Sequence, residues 1–101
     1  MVQLTEEAAA ALQRLMAEES APGLGLRVQV VGGGCEGLYY DLDLVPAPFE
    51  GDDVGSSRGI PLYVDNRARA LLDDLTLDYQ DGFRFENPRA KAVCRCGASF
   101  R

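Results

Sequence analysis

Histidine and tryptophan are absent from this chain of 101 residues, and the lack of histidine excludes several kinds of catalytic and metal-binding site. Without imidazole the chain cannot form a Ser-His-Asp triad, a Cys-His pair or a histidine metal site. No lysine follows the triple glycine at residues 32–34, so a phosphate-binding Walker loop is excluded too. The tyrosines and scattered carboxylates provide no pair of nucleophile and base. The sequence therefore predicts a protein that is not an enzyme.

Long apolar runs and an excess of positive charge are also lacking. No stretch approaches the ~20 apolar residues that span a bilayer, and the opening MVQLTEEAAA lacks the basic and apolar regions of a secretory signal. Ten Lys and Arg against 16 Asp and Glu give a net charge of −6, whereas nucleic acids and anionic lipids attract basic patches. We expect a cytoplasmic protein with no nucleic-acid partner and no membrane partner.

Cysteine is scarce, but its placement is informative. Cys35, Cys94 and Cys96 form an odd set, so disulfide pairing would leave one thiol over, and a reducing cytosol is the simpler setting. Residues 84–101 carry five basic side chains against Glu86 alone. Because nearby cations favour thiolate over thiol, the two later cysteines are candidates for the thiolate form, which is the form that binds metal.

Hydrophobic periodicity predicts two helices. The first is capped by Thr5 and runs to about Glu19. Its apolar face comprises Ala8, Leu12, Leu15 and Met16. The second follows the cap Asp65, and its inward stripe comprises Ala68, Leu71, Leu72 and Leu75.

Alternating apolar and polar residues predict strands on both sides of a glycine loop and again later in the chain. The predicted strands cover Leu26 to Val30, Leu38 to Leu44, a short segment near Val54, Ile60 to Val64, Thr76 to Gln80 and Phe83 to Glu86. Arg58-Gly59 and Asp81-Gly82 are the predicted turns. This order predicts an α+β fold: one compact, β-rich domain over residues 1–101, with mainly antiparallel or mixed strands, two helices packed against them and a flexible cysteine tail at about 88–101.

The cysteine spacing allows several kinds of chemistry. Cys94 and Cys96 are one residue apart, closer than the Cys-x₂₋₄-Cys of structural zinc sites, so zinc is disfavoured. If Cys35 approaches them, the chain offers three thiolates where closed zinc or iron–sulfur sites usually need four ligands. The fourth could be a carboxylate such as Glu36, a small thiol or solvent, or a ligand from a second copy of the chain. A buried structural Cys35 and a redox pair of cysteines are the alternatives without metal.

Three motifs occur together: GGGCEG at residues 32–37, NPRAK at residues 87–91 and CRCGASF at residues 94–100. With them the chain resembles the A-type iron–sulfur cluster carrier (HesB-like) family, and the resemblance extends nearly end to end. Arg95 stands where the family usually has glycine, Glu36 where it usually has a small residue, and the stretch before Phe83 is shorter than usual.

The resemblance implies a compact β-rich fold with two helices, a dimeric or tetrameric assembly and a role as scaffold or carrier. On this basis Cys35, Cys94 and Cys96 are the expected ligands of an iron–sulfur cluster, either [2Fe–2S] or [4Fe–4S]. The expected partners are a second copy of the chain, other iron–sulfur assembly proteins and the apo-proteins that receive the cluster. A protein that holds mononuclear iron through the same thiolates and donates it to cluster assembly is the alternative.

Overall fold

A computed structural model describes residues 2–18, 23–32, 38–88 and 99–100. Its elements follow in the order β1 (Gln3–Leu4), α1 (Glu6–Glu18), β2 (Gly25–Gly32), β3 (Leu38–Val45), β4 (Asp52–Ser57), β5 (Ile60–Asp65), a 3₁₀ turn (Asn66–Ala68), α2 (Arg69–Leu72), β6 (Thr76–Tyr79), β7 (Phe83–Glu86) and β8 (Ser99–Phe100). This strand-rich arrangement with two helices confirms the predicted α+β class.

The strands form two sheets. The larger has the order β4-β5-β2-β3-β8, in which β2 and β5 run parallel and the other neighbours run antiparallel. The smaller has the order β1-β6-β7, with β1 parallel to β6 and β6 antiparallel to β7. Both sheets are mixed or antiparallel, as the sequence predicts.

A single apolar core joins the two sheets and α1. Apolar side chains of this size each contribute roughly 1.5–3 kcal/mol when they leave water. The largest fully buried side chains are Leu12, Leu26, Leu62, Leu72, Leu75, Leu77, Val2 and Val28. They come from the first residues of the chain, α1, β2, β5, α2 and β6, and the buried Tyr40 adds β3 to the same core.

The first helix agrees with its prediction at the start and on part of its buried face. Thr5 caps it, since the Oγ1 atom accepts a hydrogen bond from the backbone N–H of Ala8 at 3.2 Å. Ala8 and Leu12 are buried, but Leu15 is 38% exposed, so its predicted place on the inward face is wrong. The sequence predicts an end near Glu19, which lies outside the described residues; the described helix ends at Glu18.

The second helix is shorter than predicted. Asp65 accepts a hydrogen bond from the backbone N–H of Arg67 and so caps the 3₁₀ turn, as expected. Only Arg69–Leu72 is α-helical, and Leu71 is 37% exposed rather than inward. Asp73 and Asp74 follow directly, and acidic residues at the C-terminal end of a helix oppose its dipole. Leu75 is buried as predicted, but it lies between α2 and β6.

Both predicted hairpin turns are present. Arg58 and Gly59 connect the paired residues Ser57 and Ile60 with φ angles of 51° and 80°. Two consecutive positive φ angles are typical of the type I′ turn. Asp81 and Gly82 also have positive φ angles and belong to the three-residue connection between β6 and β7.

Among the described residues, no helix is long and apolar enough to cross a membrane.

Candidate metal centre

All three predicted ligands fall outside the described residues. Cys35 lies in the segment 33–37, and Cys94 and Cys96 lie in the segment 89–98. The structure therefore leaves their role as a prediction. It does describe the residues on either side of both segments, and these define where each segment is attached to the fold.

The first segment joins the two ends of the β2–β3 hairpin. The strands pair along their whole length, from Gly25 opposite Val45 to Gly32 opposite Leu38. Cys35 lies in the middle of the connection between this last pair, three residues from each strand end. Because a residue spans at most ~3.6 Å of extended chain, its Cα atom lies within about 11 Å of the Cα atom of Leu38.

The second segment leads into β8, which lies beside the same strand, β3. β8 pairs with the start of β3, with Phe100 opposite Leu38 and Ser99 opposite Tyr39. Cys96 is three residues before Ser99, so the same limit of about 11 Å applies to the separation of their Cα atoms. The two cysteine segments are thus attached to neighbouring backbone positions at one end of the larger sheet.

Asn87, two residues before the second segment, is hydrogen-bonded to the same strand. The Nδ2 atom of Asn87 donates hydrogen bonds to the hydroxyl oxygen of Tyr40 at 3.1 Å and to the backbone carbonyl of Leu71 at 2.7 Å. Tyr40 is 6% exposed, and its ring stacks on Phe85 with centroids 4.5 Å apart. Burial raises the pKa of the Tyr40 phenol, and the hydrogen bond from Asn87 lowers it in part. The phenol therefore stays protonated at neutral pH.

The rest of the described chain offers no competing metal site. Within residues 2–18, 23–32, 38–88 and 99–100, no three side chains of the metal-binding types His, Cys, Asp and Glu form a cluster. Three of the more buried carboxylates accept hydrogen bonds from other side chains: Asp52 from Arg27, Asp65 from Arg67 and Asp78 from Thr5. Soft iron–sulfur chemistry also prefers thiolates to carboxylates.

The sequence does not reveal the contact between Tyr40 and Asn87. Strand alternation places Tyr40 on the inward face of β3, and the Asn87-Pro88 pair predicts the end of β7. Neither pattern shows that the two side chains meet, because they are 47 residues apart in the chain. The only available signal was a polar amide directly before the proline that opens the cysteine segment.

Comparison with known proteins identifies the family of this chain. The family model described as iron–sulphur cluster biosynthesis matches residues 1–98. A protein of Azotobacter vinelandii from the nifU 5′ region is 42% identical over 99% of this chain and 98% of its own length. The iron–sulfur cluster insertion protein ErpA of Marinobacter nauticus is 40% identical over 95% of this chain and 92% of its own length.

A solved structure gives the same result. The crystal structure of IscA with the [2Fe–2S] cluster has a TM-score of 0.92 and 37% sequence identity, and the match covers 100% of this chain and 97% of that one. The predicted resemblance and the predicted function class are thereby confirmed at the level of the family. The chain belongs to the iron–sulphur cluster biosynthesis family, whose members act as carriers or scaffolds of the cluster.

Proposed function

We propose that this protein binds an iron–sulfur cluster through Cys35, Cys94 and Cys96 and passes it to apo-proteins. The observation that carries the proposal is the pairing of β8 with the first two residues of β3. The segment with Cys94 and Cys96 leads into β8, and the segment with Cys35 leads into the strand end with which β8 pairs. Thiolates are the usual ligands of such clusters, and IscA, whose fold this chain shares, holds a [2Fe–2S] cluster.

The number of ligands favours an assembly of at least two chains. Three cysteines fall one short of the four ligands that [2Fe–2S] and [4Fe–4S] clusters usually take. A second copy of the chain can complete the set across a two-fold axis, which is the commonest symmetry of soluble oligomers. The proposal therefore includes a homodimer, or a homotetramer built from two such dimers.

The proposed role is transfer rather than catalysis. The chain has no histidine, and its partly buried carboxylates Asp52, Asp65 and Asp78 are hydrogen-bonded within the fold. A carrier needs a cluster that can leave by exchange of thiolate ligands with a recipient. We propose that residues 1–101 act as one cytoplasmic domain, that the segment 88–101 supplies two ligands, and that the partners are other cluster-assembly proteins and recipient apo-proteins.

The experiment is anaerobic reconstitution with iron and sulfide, followed by visible absorption and by chemical assay of iron and acid-labile sulfide. The wild-type chain and the single variants Cys35→Ser, Cys94→Ser and Cys96→Ser are compared, with the Ser56→Ala variant as a surface control. We expect stoichiometric iron and sulfide in the wild type and in the control. Each cysteine variant should lose most of its cluster on desalting, because the serine hydroxyl is a poor ligand for a thiolate-preferring cluster.

Two results would contradict the proposal. Full cluster content in the Cys35→Ser variant would mean that the glycine-loop cysteine is not a ligand. Iron bound without sulfide in the wild type would instead indicate a mononuclear iron donor.

A further inference from the structure

We propose that Asn87 and Tyr40 are positioning residues for the cluster: the hydrogen bond between them holds the start of the cysteine segment against β3 and limits how far Cys94 and Cys96 can move from Cys35. This inference rests on the proposed function, because it assigns these two residues a part in holding the cysteines together. Neither side chain is proposed to touch the cluster.

Asn87 connects three elements: β7 through the backbone, and β3 and α2 through its side chain. It directly follows β7, and its amide group donates one hydrogen bond to Tyr40 on β3 and another to the carbonyl of Leu71 in α2. The primary amide has two N–H donors, so these two acceptors account for both of them. An alanine at this position would remove both links, and an aspartate could not donate either one.

Tyr40 is a rigid partner for this bond. The side chain is buried, and its ring lies nearly parallel to that of Phe85, with an interplanar angle of 14°. Because Phe85 belongs to β7, the stack and the hydrogen bond join the smaller sheet to the larger one at the same point. The hydroxyl oxygen that accepts the hydrogen bond from Asn87 is therefore fixed in position relative to β3.

The consequence for the cysteines follows from chain connectivity. Residues 88–98 lie between Asn87, which is bonded to Tyr40, and Ser99, which pairs with Tyr39. Both ends of the segment are thus attached to adjacent residues of β3, and a closed loop samples far fewer conformations than a chain fixed at one end. The preceding residue, Glu86, pairs with Thr76 in the smaller sheet, so the bond from Asn87 to Tyr40 attaches this end of the segment directly to the larger sheet.

The test measures the distance between cysteines in the full-length, cluster-free protein. In a Cys94→Ser background, nitroxide spin labels on Cys35 and Cys96 report a distance distribution by pulsed electron paramagnetic resonance. The Tyr40→Phe variant keeps the ring and its stack on Phe85 but removes the hydroxyl that accepts the bond from Asn87. The Asn66→Ala variant is the control for Asn87→Ala, because it removes the amide group of an exposed asparagine elsewhere. Circular dichroism and thermal unfolding show whether each variant stays folded.

We expect a narrow distribution in the background protein and in the Asn66→Ala control. In the Tyr40→Phe variant the fraction of long distances should rise about fivefold, which is the shift expected for loss of one ordinary hydrogen bond. The Asn87→Ala variant should show a larger rise. Unchanged distributions in a folded Tyr40→Phe protein would overturn the inference, and this holds even if the Asn87→Ala variant does not fold.

A second readout connects the distance change to cluster retention. In the three-cysteine protein, the rate at which a chelator removes the reconstituted cluster should rise by a similar factor in the Tyr40→Phe variant. Loosened cysteines with unchanged cluster loss would overturn the positioning role. If the wild type binds no cluster at all, the proposed function fails, whereas the distance measurement still reports on the contact between Asn87 and Tyr40.

Discussion

Arg27 is the residue whose environment departs most from a typical charged side chain. Its guanidinium group makes two hydrogen bonds to the Asp52 carboxylate, at 2.9 and 3.0 Å, and the two side chains are only 8% and 1% exposed. The Gln29 side-chain oxygen accepts another bond at 2.6 Å, and the Phe49 ring covers the guanidinium at 4.2 Å. A buried pair with this many bonds is stable as a pair but vulnerable to loss of either member.

The Arg27→Met variant should therefore lower the free energy of unfolding by about 3–5 kcal/mol, because the Asp52 carboxylate would stay buried without its partner. Urea denaturation at pH 7 provides the measurement. The matched control is Arg67→Met. Arg67 also makes two hydrogen bonds to one carboxylate, that of Asp65, but the Arg67 side chain is 83% exposed. Its effect should be clearly smaller, since water replaces an exposed partner. Equal losses in the two variants would contradict this account of Arg27.

The sequence predicts the orientation of Arg27 but not its burial. Alternation with Leu26 and Val28 places the side chain on the opposite face of a half-buried strand, and the structure agrees. What covers that face is Asp52 and Phe49, more than twenty residues further along, and periodicity within a strand carries no information about such distant residues. At the candidate site the situation is reversed. Residue chemistry made Cys35, Cys94 and Cys96 candidates, the resemblance to the carrier family implied that they are ligands, and that assignment stays a prediction.

At the scale of elements, the start of α1 is fastened to β6. The Thr5 hydroxyl caps the helix through Ala8 and donates a 2.7 Å hydrogen bond to the carboxylate of Asp78. That bond is the main reason why the pKa of Asp78 lies below its usual value of 3.8, with the backbone N–H of Tyr79 as the next cause. A carboxyl whose pKa is lowered by folding stabilises the fold above its unfolded pKa, and this contribution is lost as the pH falls through the folded pKa.

Replacement of Thr5 by valine should cost about 1 kcal/mol of unfolding free energy at pH 7, the usual value of a lost helix cap. The difference from the wild type should shrink as the pH is lowered from about 4, because protonated Asp78 no longer gains from the Thr5 bond. Urea denaturation across about pH 2.5 to 7, a range that spans the usual pKa of an Asp carboxyl, measures both effects. The Thr76→Val variant in β6 makes the same chemical change away from the cap. A constant difference at all pH values would show that Asp78 is not involved.

The shortest elements escape prediction from sequence. β1 and β8 have two residues each, too few for any alternation to be recognised. Their strand character comes from distant partners, β6 for β1 and β3 for β8. β1 is held on its other side as well, because the Leu4 backbone bonds to the side chains of Ser57, at the end of β4, and Arg58, in the turn that follows. Similarly, α2 ends earlier than its apolar pattern suggests because the following acidic residues oppose continuation.

We expect β8 to hold the end of the cysteine segment against β3, and removal of β8 tests this. Deletion of residues 99–101 should leave the far-ultraviolet circular dichroism nearly unchanged and increase the rate of cluster loss to a chelator at least about fivefold. Even one backbone hydrogen bond to β3, worth about 1 kcal/mol, shifts an attachment equilibrium by that factor. Deletion of Arg101 alone is the matched control and should have little effect. Identical rates for both deletions and the full chain would show that β8 does not retain the cluster.

For the whole molecule, the α+β class and the order of the elements follow from hydrophobic periodicity, but the division into two sheets does not. The β6–β7 hairpin could equally have extended the sheet that contains β5. It joins β1 instead, and the stack of Tyr40 on Phe85 then brings the two sheets together beside the candidate site. Strand pairing across the chain depends on how the whole core packs, so no local pattern determines it. The assembly of several chains is harder still to predict from the sequence, because it depends on the surface of the folded chain.

The central claim, that thiolates of at least two chains share one iron–sulfur cluster, is tested most directly on the reconstituted protein. Mössbauer spectroscopy of the anaerobic, ⁵⁷Fe-loaded protein, combined with its native mass, identifies the iron environment and the number of chains together. The account predicts iron in tetrahedral sulfur coordination, accompanied by sulfide, in an assembly of two or four chains. Iron coordinated by oxygen in a single chain, or the same cluster spectrum in a chain without Cys35, Cys94 and Cys96, would contradict it.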